Sequence, residues 1–400
     1  MFQLNDNHRT VWANFHRRYK EILCLLTHCS QTRRKIKRLQ FHILLTNVLF
    51  AVRRFICKTN EPGRSNISRC LVGVACAVAL SHHGNCAADS MGRFFGIVSD
   101  NDLYVDGHDR HYTAGTHIAY AFARGKAPHF LSWLSRFSPL DQGPASREIQ
   151  IGLGQVISTP EDLSRMTADP RDRPYSGWLY ANLSATTRDT RREDEVGFSI
   201  GLIGPASLAE DAHELLHEVT GSIDPQGWDT QLDNEPALQV HFRRSWFVPV
   251  KPDDVYEGDL IPRIQAVVGN VYTEIDLGLA WRFGSYVPAI DKPMRGAAGI
   301  ANSAPRFAAR RDEIDWMFRA DVIARAVAHN VFLDGSVFND EDSTVDSRTF
   351  AWEASAGVQF TFGNFAVPIA LAFSYVWRAK EFDDQSGPNR FGSIEISTQF

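Results

Sequence analysis

The feature that most constrains this chain is a two-residue alternation that returns along its length. Within Tyr272–Trp281, Ile275, Leu277, Leu279 and Trp281 alternate with Glu274, Asp276, Gly278 and Ala280. Shorter runs repeat the pattern at Phe198-Ser199-Ile200-Gly201-Leu202 and at Ile394-Glu395-Ile396 near the end of the chain. Successive side chains of a strand point to opposite faces, so each run makes a strand with one apolar and one polar side. About a dozen such segments are expected, near 94–104, 113–123, 147–159, 177–189, 194–206, 237–249, 259–271, 272–284, 314–327, 347–361, 365–380 and 390–400.

A water-soluble sandwich also alternates, so charge, cysteine content and export signals have to decide between the two. Residues 1–88 hold 14 Lys and Arg against 3 Asp and Glu. The remaining residues hold 28 against 44, a net charge of −16. A body that acidic repels phosphate backbones and disfavours nucleic-acid binding. All six cysteines, Cys24 to Cys86, lie in the first segment, so the body has neither a disulfide framework nor a thiolate zinc site. Arg64 and Arg69 precede the apolar run Leu71–Leu80, and the small residues Cys86, Ala87 and Ala88 follow. That layout is a secretory signal, so 64–88 is expected to be a signal peptide cleaved after Ala88. Residues 1–63 are basic. They are read as an over-extended start, or alternatively as an amphipathic arm on an anionic membrane face.

No stretch beyond Asp89 is apolar enough, over about 18 residues, to cross a bilayer as a helix. An exported, alternating, cysteine-free body with an aromatic final residue, Phe400, points instead to strands as the spanning elements. In lipid a sheet must close, because no backbone edge can stay unpaired. The expectation is an all-β transmembrane antiparallel barrel of about 12 strands over 89–400. Trp178, Tyr180, Trp246, Trp281, Trp316, Trp352 and Trp377, near strand ends, are candidates for interfacial girdles, although each taken singly reads first as an ordinary core aromatic.

One stretch breaks the β pattern. Ser207–Val219 has helical period and Gly221 stops it, so a short helix is expected in one extracellular loop. It carries His213-Glu214-Leu215-Leu216-His217, the HExxH pattern that puts two imidazoles and a glutamate on one helix face for zinc. Glu235 is a possible third ligand. Three further polar stretches accompany it. Asn101-Asp102 is followed by Asp109-Arg110-His111-Tyr112-Thr113-Ala114-Gly115; Asp172-Arg173-Pro174-Tyr175-Ser176-Gly177-Trp178-Leu179-Tyr180 leads into a strand; and Gly227-Trp228-Asp229-Thr230-Gln231-Leu232 follows the helix. Taken singly, each is accounted for by turn-forming residues at a strand end.

Taken in order, these stretches resemble the outer-membrane lipid A deacylase family, the lipid A 3-O-deacylases, from about Phe94 to Phe400. Arg325-Ala326-Val327-Ala328-His329-Asn330 through Gly335 adds to the match. The resemblance implies a twelve-stranded barrel whose site faces the outer leaflet, depends on calcium and hydrolyses the 3-linked acyloxyacyl ester of lipid A. Carried over by position, Asn101 and Asp102 fall on the family's polar pair, Thr113 on its hydroxyl and His217 on its catalytic histidine. A family lysine in the loop after the third strand has Arg165 as its nearest cation here, a substrate contact by analogy. Calcium ligands would be Asp102, Asn101 and Asp224. The family's glutamate six residues after the histidine is Ile223 in this chain, and Asp224 beside it is taken as the substitute. The chemistry is coherent. A neutral His217 can serve as general base, and calcium can polarise an ester carbonyl. The resemblance also implies lipopolysaccharide as partner, an outer-membrane location and a monomer. The alternatives are a non-catalytic barrel, either channel or structural, and an HExxH zinc protease.

Overall fold

The computed structural model describes residues 92–105, 111–141, 143, 146–250, 256–287, 307, 309–338, 345–365 and 367–400. The basic extension and the signal segment of the sequence reading lie outside these residues. Twelve strands follow one another: β1 (Phe94–Asn101), β2 (His111–Ala121), β3 (Arg147–Thr159), β4 (Ser176–Arg188), β5 (Arg192–Ile203), β6 (Glu235–Trp246), β7 (Glu257–Gly269), β8 (Tyr272–Gly284), β9 (Ile314–Asn330), β10 (Phe350–Phe362), β11 (Ile369–Arg378) and β12 (Asn389–Gln399). Val248–Val250 continues the line of β6 along β7 after a short break. Every strand pairs antiparallel with its neighbours in sequence. The ring closes where β1 meets β12, from Phe94 opposite Gln399 to Asn101 opposite Gly392. A closed up-and-down ring leaves no edge with unpaired amides, the condition a sheet must meet in hydrocarbon.

The alternation separates the two faces. Ile275, Leu277, Leu279 and Trp281 of β8 are exposed on the outside, as are Ile200, Leu202, Val240, Val268, Leu371 and Ile396 on other strands. The residues between them point into the bore and are buried, although they are charged. Arg263 pairs with Asp321 at 2.7 Å, Arg319 with Glu395 at 3.0 Å, Arg378 with Glu353 at 2.8 Å and Arg243 with Glu195 at 3.1 Å. Charges taken out of water require partners of this kind, because an unpaired one costs several kcal/mol. An apolar exterior around an ion-paired interior is inverted relative to a water-soluble protein, and matches a lipid-embedded barrel.

One end of the ring gathers Asn101, His111, Thr159, Ser176, Ile203, Glu235, Asn330 and Arg378, with the loops that join them. At this end the one-turn helix α2 (Val331–Asp334) folds into the mouth of the bore. Its Val331 and Phe332 join Tyr112, Trp178, Tyr180 and Phe391 in a buried cluster. Trp178 and Tyr180 stack with centroids 4.2 Å apart. These two are therefore not girdle residues, because they share the inward face of β4 with Asn182 and Ser184. Trp246, Trp281, Trp352 and Trp377 do stand exposed on the outer wall. The described residues 122–141, between β2 and β3, lie at the end opposite the plug.

Candidate functional site

Asn101 is the last residue of β1 and has extended backbone. Its side-chain oxygen accepts from the Leu103 amide at 2.8 Å and caps a single 3-10 turn, Asp102–Tyr104. That cap turns the chain at the rim and leaves Asp102 buried. Across from Asn101, β2 contains a bulge. Tyr112 faces Ser158 and Ala114 faces Ile157, so Thr113 is the extra residue. Bulges re-aim side chains, and here the Thr113 hydroxyl lies 2.6 Å from that of Thr159.

Alternation places Asn101, Ala114 and Ile157 on the outer face of the wall. Ala114 and Ile157 are buried there under Ala209, Leu163, Tyr175 and Trp228. Helix α1 (Ala209–Thr220) thus lies against the outside of the barrel, at the rim, and not over the bore. Gly177 makes this possible. A Cβ at that position would lie 2.1 Å from the Ala209 Cβ, so any side chain would push the helix off. Gln155 adds a tether by donating to the Ser207 carbonyl at 2.8 Å.

The helix ends where the sequence expects. Gly221 adopts left-handed backbone (φ 75°), and the amides of Gly221 and Ser222 both donate to the His217 carbonyl. This closure suits glycine and stops the helix one turn after His217. His213 and His217, four residues apart, share a face, with ring centroids 4.1 Å apart. Trp228 Nε1 donates to His213 Nδ1 at 3.2 Å, and Tyr175 packs on Trp228 at 4.9 Å. Burial pushes the Tyr175 phenol up to about 12. His217 Nδ1 donates to the Ile223 carbonyl. That bond fixes the tautomer, with Nε2 as the basic nitrogen.

The HExxH histidines are therefore held by other partners. Glu235, the possible third zinc ligand, accepts from Asn270 at 3.1 Å and from Ser336. Among the described residues no group of three or more His, Cys, Asp or Glu side chains is placed to hold a metal ion, so the zinc-protease arrangement is not assembled. The calcium set is of a different kind. Calcium takes hard oxygens, about six to eight of them, carbonyls included. Asp102 offers a buried carboxylate at the rim. Asp224 is exposed and accepts from Gln226 at 3.3 Å, and the Asn101 side-chain oxygen is engaged by its cap. The donors fit calcium in chemical type.

Arg165 lies in the loop 160–175. It is half exposed and pairs with Asp169 at 3.1 Å. The same loop holds a cation that sequence reasoning passed over. Arg173 is buried, donates to Glu381 at 2.9 Å and lies 5.6 Å over the Phe382 ring. Burial alone would raise the Glu381 carboxyl, but Arg173 and Arg378 outweigh it and hold the group below the usual range. Beside it, burial pushes Asp172 above that range, 3.7 Å from His111. Arg173 and Glu381 thus tie two loops together across the plugged mouth. The one sequence signal for this was the position of Arg173 inside the Asp172–Tyr180 stretch.

A closed antiparallel ring with an apolar outer belt, an ion-paired bore and polar groups at one rim defines a β-barrel of the outer membrane. Within that class, the chain belongs to the outer membrane protein LpxR family, whose model matches residues 70–400. LpxR from Salmonella typhimurium has a similar fold, with a TM-score of 0.60 and 20% identity over 77% of this chain and 100% of that one. The β domain of the Bordetella autotransporter BrkA is a more distant likeness, with a TM-score of 0.37 and 10% identity over 77% of this chain and 98% of that one. No curated protein matches the chain in sequence.

Proposed function

We propose that this barrel is a calcium-dependent lipid A 3-O-deacylase that hydrolyses the 3-linked acyloxyacyl ester in the outer leaflet. The observation that carries this reading is the position of α1. The helix that carries His217 packs through Ala209 on Ala114 and Ile157 of the outer wall, next to the Thr113 bulge, on the side of the barrel that faces lipid rather than the bore. The family supports a lipid-modifying role, since its members are outer-membrane proteins of this architecture.

In this mechanism water attacks the ester carbonyl while His217 Nε2 takes its proton, a contribution of about 10²–10⁴ in rate. With its oxygen fixed by Leu103, Asn101 turns its amide NH₂ to the developing oxyanion, and the Thr113 hydroxyl donates beside it. The acyl C–O bond then breaks. The protonated His217 returns its proton to the sugar oxygen, giving a free 3-hydroxyl and a carboxylic acid. Asp102, with Asp224 and backbone carbonyls, would hold calcium, which polarises the carbonyl when bound. Arg165, half exposed in the loop 160–175, is the cation available near the rim for the lipid's phosphates.

The channel alternative is disfavoured by the aromatic plug and the ion pairs that fill the bore. The test is mass spectrometry of lipid A from cells with and without the gene. Loss of the 3-linked acyl pair, abolished by His217→Ala and by calcium chelation, supports the reading, whereas unchanged lipid A overturns it.

A further inference from the structure

The end of the barrel opposite the plug carries an element that this chemistry does not use. In the connection between β2 and β3, residues His129–Phe137 form a 3-10 segment, His129-Phe130-Leu131-Ser132-Trp133-Leu134-Ser135-Arg136-Phe137. Its Leu134 is buried against Ile149, Ala185 and Val196. These three share the outer faces of their strands with the exposed Ile151 and Ile200, so the segment packs on the outside of the wall.

The segment also covers a charge. Asp194 lies on the same outward face as Ile200 and is fully buried there. It accepts from Arg244 at 2.7 Å and from the Ser138 hydroxyl at 3.0 Å. A carboxylate on a lipid-facing wall is costly unless paired and shielded. The chain that follows the segment supplies both a hydrogen bond and cover.

Its outer surface remains uncovered. Phe130 is 74% exposed, Phe137 59% and Trp133 42%, and the last two rings meet edge to face at 6.0 Å. Lys126, His129 and Arg136 stand exposed among them, and 122–140 contains no Asp or Glu. Trp and Phe with basic residues on one short element, low against an apolar belt, are the composition of an element lying in a membrane interface. The exposed Trp246 and Trp281 stand on the wall at this same end and extend the aromatic band.

We infer that His129–Phe137 is an interfacial anchor. Its aromatic side chains enter the leaflet on the side away from the candidate site, and Lys126 and Arg136 meet anionic phospholipid headgroups. The inference rests on the barrel's membrane setting and not on the catalytic reading.

The test uses the full chain, refolded into bilayers of phosphatidylethanolamine and phosphatidylglycerol that contain lipid brominated at chosen depths. The emission lost on Trp133→Phe isolates Trp133 from the other tryptophans. That component should be quenched several-fold more by lipid brominated near the headgroup than by lipid brominated near the chain end. Heat-modifiable gel mobility reports whether each variant has folded. If Trp133→Phe fails to fold, the fluorescence of Phe130→Trp, referenced to wild type, carries the same readout. Quenching of the Trp133 component by aqueous iodide but by no brominated lipid overturns the inference. So does protection from both with cross-linked dimers, which would place a second copy on this face.

Discussion

His217 donates its Nδ1 proton to the backbone carbonyl of Ile223, six residues further along the chain. The contact uses no side-chain atom of residue 223, and the Ile223 side chain is 72% exposed. Ile223→Ala should therefore leave deacylation within about twofold of wild type. His217→Ala should reduce it by about 10²–10⁴ while the barrel still folds. Both are read as the rate of loss of the 3-linked acyl pair from purified lipid A. A large loss in Ile223→Ala would give that side chain a role in substrate contact.

Asn101 offers a finer dissection. Asn101→Asp keeps an oxygen to cap Leu103 but loses the NH₂ donor, so the rate should fall about 10²-fold with the rim intact. Asn101→Ala loses both and should also loosen the Asp102–Tyr104 turn. Hydrogen exchange at Leu103 separates the two variants: faster exchange is expected in the alanine variant alone.

Gly177 is the point of closest approach between wall and helix. Gly177→Val has no space beside Ala209 and Ser207. Overpacking of this kind costs about 1–3 kcal/mol, and it should appear as rapid exchange across Ala209–Thr220 and loss of activity. Sheet circular dichroism should be unchanged. Retained activity would separate the helix from the chemistry.

The Arg173–Glu381 tie should respond to acid. The folded Glu381 carboxyl lies below its ordinary range, so its stabilisation is complete above that range and is lost as pH falls through the depressed value. Proteolysis of the loop 379–388 should increase over that acid window. Arg173→Gln should bring the same susceptibility at neutral pH, with a cost of about 3–5 kcal/mol for breaking a buried pair. Equal resistance of wild type and variant at neutral pH would show that the tie does not hold the loops.

Calcium removal should abolish turnover, and added calcium should restore it. Asp102→Asn should raise the calcium concentration needed. Full activity in excess chelator would exclude a metal from the reaction.

The strands were legible because their alternation follows directly from the two faces of a barrel wall. β3, β8 and the stop at Gly221 fall where the sequence places them, and other strand boundaries differ by a few residues. What alternation alone does not convey is which face is which near the rim. Trp178 and Tyr180 have the composition of a girdle but the parity of the bore, and only the strand's inward neighbours Asn182 and Ser184 show this. The Thr113 bulge shifts parity within β2, so no period count places its hydroxyl. Arg173 was hidden for another reason: its partner, Glu381, lies 208 residues away. The HExxH pattern was legible but misleading, because Trp228 donates to His213 Nδ1, which leaves the proton of that ring on Nε2, and Glu235 is engaged by Asn270 and Ser336, so among the described residues no third ligand joins the helix.

The plug of Phe332, Trp178 and Tyr180 decides which surface of the barrel can meet a substrate. The deacylation proposed above would take place on the outside of a stoppered cylinder and would need no passage through it. The aromatic cluster at the mouth and the ion pairs behind it leave the bore filled, so the outer wall, and not the lumen, is the surface this barrel offers to its surroundings.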